Sequence, residues 1–299
     1  MTPNAIAAGP IPYAGVGLDR AGDRRADPAW VAAQAADPRA ILRPLWNDEC
    51  LVTGGVPVVL PATSWDAVLL GLDGDVPVFA VDLSHLSKGD ALARTGADGT
   101  ADIRMLYADL PGTEAATLAY ARGLLRWHRF QQFCGRCGSP AEARNGGHFR
   151  ACTNQDCAQL LFPRIEPAVI TLIETTREPR RCLLARHRAS KTGGFSLLAG
   201  FVEIGESLED AVRREIDEEA GISLTTVTYV GSQPWPFPAG IMVGFRAVTE
   251  DEVTTADGDE ILETRWFTRD ELREYGDSRP LGRVDSIDRL ILTEWLAEK

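Results

Sequence analysis

Apolar and polar positions change rhythm several times along this chain. "VPVVLP" (Val56–Pro61) is a short apolar run that predicts a strand. Asp66–Leu83, "DAVLLGLDGDVPVFAVDL", holds two apolar runs joined by Asp73-Gly74, which predicts a hairpin. Lys88–Asp102 mixes small and polar residues and reads as a loop. From Thr113 to about Gln131 the period becomes helical. Leu118, Ala121, Leu124, Leu125 and Phe130 recur on one face, with Thr113 as candidate N-cap. A β-branched run, "AVITLIE", opens a new region after Pro167. Near the end, "SIDRLILTEWL" predicts an amphipathic helix burying Ile287, Leu290, Ile291 and Trp295. Residues 1–15, rich in Ala, Pro and Gly, read as a loose tail. There are no internal repeats.

Length turns these elements into domains. At 299 residues the chain suits two domains or three small ones. Its 44% hydrophobic and 25% charged residues are those of an ordinary globular protein. The net charge of −12 argues against a protein whose main task is gripping duplex nucleic acid. It leaves room for a nucleotide enzyme that screens phosphates with metal ions. No stretch reaches the ~20 apolar residues of a membrane span. The N-terminus lacks the basic start and apolar run of a signal peptide. A cytoplasmic protein without membrane association is expected.

Cysteine spacing adds a metal site. Cys134 and Cys137 form C-x2-C, and Cys152 and Cys157 form C-x4-C. Four thiolates on two short loops suit tetrahedral Zn²⁺, with Gly135 and Gly138 letting backbone N–H groups face the sulfurs. A structural zinc ribbon is expected. Cys50 and Cys182 stand alone and read as small buried hydrophobes. Basic charge gathers around the ribbon: Arg122, Arg126, Arg129, Arg136, Arg144, Arg150 and Arg164 stand against Glu142 and Asp156. That surface is a candidate approach path for polyphosphate or RNA. The ribbon itself reads as a brace, because thiolates fill every metal position.

The densest chemistry is "GFVEIGESLEDAVRREIDEEAGI", Gly200–Ile222. Glu215, Glu218 and Glu219 fall within an arc of roughly 100° on one helix. Like charges at i, i+4 cost a helix a few tenths of a kcal/mol. These also border the apolar stripe of Leu208, Val212 and Ile216, where desolvation raises the cost. A solvated acidic face would not need that border, nor the glycines at 200, 205 and 221. Divalent cations among the carboxylates account for both. The segment resembles the Nudix box: Gly200, Glu206, Arg214-Glu215-Ile216, Glu218-Glu219, then Gly221-Ile222. The resemblance implies a mixed sheet packed on a loop–helix–loop, with Glu215, Glu218 and Glu219 holding Mg²⁺ or Mn²⁺. Arg214 would pair with Glu218 and orient the cluster, and Glu206 would assist.

Past the helix, "SQPWPFPAG" (Ser232–Gly240) alternates prolines with large aromatics. Few backbone conformations remain, so Trp235 and Phe237 can be presented at little entropic cost. An aromatic face suits a nucleobase or nicotinamide ring, at roughly 1–3 kcal/mol per stacked base. This stretch resembles the SQPWPFPxS motif of the NADH pyrophosphatase branch of Nudix hydrolases, with Gly240 in place of the final serine. The resemblance spans most of the chain. It implies an α+β fold: a β-rich N-terminal domain (1–125), a zinc ribbon (126–165), and a Nudix α/β/α sandwich (166–299). It implies hydrolysis of NAD(H) to NMN(H) and AMP, NAD-cap removal from RNA 5′ ends in some members, and a homodimer. Gln233, Pro234, Trp235, Pro236, Phe237, Pro238, Ala239 and Gly240 would line the substrate site. Phe162 and Phe201 would be further rings at the nicotinamide. Glu260 would complete the metal cage or take a proton from the attacking water, and Glu263 would be structural. The branch tends to have Ser-Ile-Ala where this chain has Asp288. The competing readings are a Nudix hydrolase for ADP-ribose or another nucleoside diphosphate derivative, and a zinc-ribbon nucleic-acid binding module.

Overall fold

The computed structural model describes residues 10–62, 65–190 and 193–298. It divides into two compact units. One comprises Tyr13–Ile165 with Pro236–Ala239. The other comprises Glu166–Trp235 and the chain from Gly240 onward, with Pro12.

In the first unit, β1 (Ile41–Trp46), β2 (Glu49–Thr53), β3 (Val56–Pro57), β4 (Leu60–Pro61), β5 (Val68–Asp73), β6 (Val76–Asp82) and β7 (Gly99–Ala101) form one sheet. Its central order is β3-β2-β1-β6-β5, with β1 and β6 parallel. The predicted hairpin is β5–β6, and its two linking residues are Gly74 and Asp75, one later than the sequence suggested. Helices α1 (Pro28–Ala35), α2 (Lys88–Thr95), α3 (Ile103–Leu106) and α4 (Gly112–Phe130) accompany the sheet. One face of α4 packs Ala121, Leu124 and Leu125 on Leu45, Leu70, Val78 and Ala80. Strands β8 (Ala141–Arg144), β9 (Phe149–Cys152) and β10 (Leu160–Leu161) make a small antiparallel sheet after it.

Three local expectations change here. The expected loop over Lys88–Asp102 contains α2 and β7. Ser87 accepts from the Asp90 N–H at the N-cap, and Gly96 closes the helix at φ 70°. Helix α4 has its N-cap two residues early, at Pro111 rather than Thr113. Proline forces Leu110 into extended backbone, and that sets the start. Of the expected tail, residues 1–9 lie outside the described residues. Tyr13, however, is only 2% exposed and packs edge-on against Tyr107 and Phe237, 5.1 and 5.2 Å between ring centres.

The second unit is a mixed sheet between two layers of helix. Strands β11 (Glu166–Thr175), β12 (Arg181–His187), β13 (Leu198–Phe201), β14 (Thr226–Trp235), β15 (Gly240–Thr249) and β16 (Ile261–Thr268) run in the order β14-β15-β11-β12-β16, with β13 also on β11. β11 and β15 are parallel over ten residue pairs. Period-2 alternation feeds both faces. Val169, Ile173, Leu183 and Ala185 meet α5 (Leu208–Ala220) through Ala211, Val212 and Ile216. Ile170, Leu172, Cys182 and Leu184 meet α6 (Arg269–Ser278) and α7 (Ile287–Ala297) through Leu272, Ile287, Ile291 and Trp295. The buried face of α7 carries Leu292 and Asp288 where Leu290 was expected. This is the α/β/α sandwich of the expected α+β fold. Cys50 and Cys182 are buried as expected. No helix among the described residues is long and apolar enough to cross a membrane.

Candidate active site

Helix α5 begins where local chemistry says it should. The Ser207 hydroxyl accepts from the Asp210 N–H while the Asp210 carboxylate accepts from the Ser207 N–H, a reciprocal cap. Gly221 ends the helix in the left-handed region, φ 65°, its N–H returning to the Asp217 carbonyl. Between these stops the three glutamates take three different environments. Glu218 is exposed, Glu215 is half-buried, and Glu219 lies in the buried stripe at 3% exposure.

Arg214 organises the outer part. Its fork holds both Glu206 oxygens (2.7 and 3.1 Å), Glu215 Oε1 (2.9 Å) and Glu218 Oε2 (3.0 Å), and donates to the Phe201 carbonyl (2.8 Å). Pairing with Arg214 holds the Glu206 carboxyl below its usual range. Glu215 moves the other way, because burial outweighs the arginine. Its carboxylate lies directly on Gly200 of β13: a Cβ there would fall 1.9 to 2.2 Å from the carboxylate atoms. Only glycine fits at the first position of the pattern.

Glu219 is the exception in this network. Neither carboxylate oxygen has a hydrogen-bond partner, although both are buried. Burial first, then Glu215, Glu260, Asp257 and Glu218, push its carboxyl up to about 8. A buried carboxylate that faces other acids and has no donor is costly unless a cation sits with it. Hard oxygen donors of this kind suit Mg²⁺ or Mn²⁺, so the donorless Glu219, with Glu215 and Glu218 on the same helix, is chemically suited to a divalent ion.

The cysteines build a second, different cluster in the other unit. The Sγ atoms of Cys134, Cys137, Cys152 and Cys157 lie within 4.8 Å of one another. Cys137–Cys152 is 3.4 Å and Cys134–Cys157 is 3.8 Å. A tetrahedral site with Zn–S near 2.3 Å needs roughly 3.8 Å between sulfurs, so the donor set fits zinc. The Ser139 N–H and hydroxyl face Cys137 and hold its thiol down at about 6.

Comparison with known proteins places the chain in a family. The NUDIX domain family model matches residues 165–285, and a model described as an NADH pyrophosphatase-like rudimentary NUDIX domain matches residues 31–127. NAD-capped RNA hydrolase NudC of Mycobacterium bovis is 38% identical over 94% of this chain and 93% of its own length. The chain belongs to the Nudix hydrolase family. NAD-capped RNA hydrolase NUDT12 of Macaca fascicularis is 41% identical over 53% of this chain, a match spanning 36% of that protein. The chain thus spans about a third of the length of the first such relatives. A crystal structure of a NUDIX hydrolase from Nitrosomonas europaea resembles it with a TM-score of 0.45 at 21% identity, over 56% of this chain and 92% of that one.

Beyond the Nudix box, the residues expected at the substrate separate into different environments. Phe201 is 62% exposed at the end of β13, and Phe162 is 64% exposed with the Phe149 ring tilted beside it, 5.7 Å between centres. Both rings are free to stack. Trp235 is half-buried at the end of β14. Gln233 is not available as a ligand group. It is fully buried, its amide donates to the carbonyls of Asp285 (2.8 Å) and Pro12 (3.4 Å), and its oxygen accepts from the Ile287 N–H (2.8 Å). It ties β14 to the start of α7. Phe237 packs against Tyr13 and under the guanidinium groups of Arg122 (4.8 Å) and Arg104 (5.2 Å). Gly240 pairs with Trp235 where the β14–β15 hairpin closes. A Cβ there would press on the Trp235 and Glu166 carbonyl oxygens at 3.2 and 3.3 Å, so the glycine answers to the hairpin.

Glu260 sits just ahead of β16, and Glu263 pairs with Arg186. Of the basic cluster, Arg126 and Arg129 bind Asp48, Arg129 also binds Asp82, and Arg150 donates to the Ala141 carbonyl. Part of the expected basic surface is therefore spent on internal contacts.

Proposed function

We propose that this protein hydrolyses the pyrophosphate of NAD(H), giving NMN(H) and AMP, and removes the NAD cap from RNA 5′ ends. The observation that carries the reading is the buried, donorless carboxylate of Glu219 among Glu215, Glu218 and Glu260. Such a group is placed to share a cation with a diphosphate. The NudC relative, similar over nearly its whole length, is named an NAD-capped RNA hydrolase, which supports the reading.

Glu215, Glu218, Glu219 and Glu260 would hold Mg²⁺ or Mn²⁺, which would supply Lewis acidity at the phosphate oxygens and make water a better nucleophile. The chain's own residues do the rest. Arg214 keeps Glu206, Glu215 and Glu218 in one fixed array, so the oxygens need little reorganisation when the substrate arrives. Glu219 or Glu260 accepts the proton of the attacking water. Phe201 and Trp235 stack on the ring of the dinucleotide and hold the phosphates in line. Zn²⁺ on the four cysteines braces the other unit. We read the working form as a cytoplasmic homodimer. Exposed Phe133, Leu160, Phe162 and Ile165 support this as apolar surface for a second copy, and thiols gathered for a metal suit a reducing compartment.

The test is a product assay. With NADH and Mg²⁺ or Mn²⁺, AMP and NMNH should appear, and chelation should abolish them. Turnover of ADP-ribose well above that of NADH would replace this reading with the broader Nudix one. An absence of metal-dependent AMP release from either would overturn it.

A further inference from the structure

The loop that delivers Glu260 is held by an unusual division of labour. Asp257 collects its donors: the carboxylate accepts from the N–H groups of Asp259 (2.9 Å), Glu260 (3.4 Å) and Ile261 (2.9 Å). Arg188 collects its acceptors. Its Nε donates to the Asp259 carbonyl (2.6 Å), its Nη2 to the Gly258 carbonyl (2.8 Å), and its backbone N–H to the Glu260 carbonyl (2.8 Å). Gly258, at φ 75°, closes the turn onto the Ile261 carbonyl (3.0 Å). Three consecutive carbonyls thus answer to one arginine.

Arg188 can do this because the β12–β16 pairing slips between Arg186 and His187, so that His187 faces Ile261. Such irregularities re-aim the chain at a strand end. The far side of the loop is pinned separately, by the Thr255 N–H on the Ala220 carbonyl at the end of α5.

Asp257, Asp259 and Glu260 put three acids into four residues, and the hydrogen bonds to the Asp257 carboxylate and from Arg188 hold that turn in one conformation. From this geometry we propose that Arg188 is a positioning residue for the reaction. It fixes the Asp257–Glu260 turn so that Glu260 stays beside the box glutamates while the site fills. This rests on the pyrophosphatase reading above. Arg188 acts on main-chain carbonyls and so sets where Glu260 stands without touching substrate.

The test uses the full-length Arg188→Ala protein with three readouts. NADH turnover should lose about 10- to 100-fold in kcat, the usual cost of removing an outer-shell support, with KM changed less than about threefold. Manganese affinity, read by electron paramagnetic resonance without substrate, should weaken about tenfold or more. Amide exchange at Asp259–Ile261 should speed up while the core of α5 stays protected. Arg188→Lys, which can reach one carbonyl, should recover part of each. Unchanged exchange at 259–261, or normal kcat with a mobile loop, would overturn the proposal. Should wild-type protein not cleave NADH, the exchange and manganese arms still decide the clamp, and only the substrate reading fails.

Discussion

The two ligand clusters of this protein are built on opposite plans. The four cysteines converge from two short loops until their sulfurs nearly match a tetrahedron, and no fifth position is left open. Glu215, Glu218 and Glu219 come from a single helix, and the helix alone does not gather them as the loops gather the cysteines. One is exposed, one is pinned by an arginine, and one is buried without a donor. A closed set of soft ligands fastens a fold, whereas an uneven set of hard ligands leaves room for substrate oxygens beside the ion. The difference lies in which state pays for the crowding. On the function proposed above, the thiolates are crowded for stability and the carboxylates for binding.

The largest effect expected from this contrast is on folding. Replacing Cys152, the buried sulfur nearest Cys137, by serine should remove the metal's hold, worth roughly 10 kcal/mol or more in small zinc modules. Calorimetry should then lose the transition of the Tyr13–Ile165 unit, and zinc analysis should find no bound ion. A variant that melts like wild type without zinc would mean that the brace is dispensable.

Glu219→Gln tests the opposite side. It should cost kcat at least about 100-fold, near 3 kcal/mol, the scale for one preorganised electrostatic group. The melting temperature without metal should not fall, because the substitution removes a buried charge with no donor. An equal loss of stability and activity would show that the two clusters work alike after all.

How much of this was legible beforehand follows the range of the interactions. The glutamate helix, its serine cap and its closing glycine are set within a few residues of one another, and the cysteine pairs announce themselves by spacing. Helix α2 had local signals too, in Ser87, Asp90 and Gly96. It buries only Ala91 and Thr95, so almost no apolar stripe betrays it. Gln233 was beyond reach, because its partners Asp285 and Ile287 lie more than fifty residues away and a buried amide looks like any other in the sequence. Its neighbour Phe237 misled for the same reason: Tyr13, far off in the chain, takes one edge of its ring. Gly200 was legible as a motif position, yet its cause, the Glu215 carboxylate lying on its Cα, needs the packed strand.

A last effect, on stability alone and only above neutral pH, concerns a second orphaned carboxylate in the same unit as Glu219. Asp288 is buried near the start of α7, and its Oδ1 has no hydrogen-bond partner. It displaces nothing, since Gly282 leaves the space: a Cβ there would come 2.7 Å from Oδ2. Burial pushes its carboxyl up to about 7, and the Leu197 N–H offsets only part of that. With a folded pKa above the unfolded value near 3.9, protonation favours the native state. The stability that this proton supplies is complete below about pH 4 and is lost as pH rises through about 7. Asp288→Asn should therefore gain about 1–4 kcal/mol over wild type at pH 8 and almost nothing at pH 4, read from denaturant midpoints. Manganese should leave that gain unchanged. Glu219 sits among acids that a cation can serve, whereas Asp288 has only its own proton to remove the charge. A pH-independent gain would mean that shape, not charge, limits the site at Asp288.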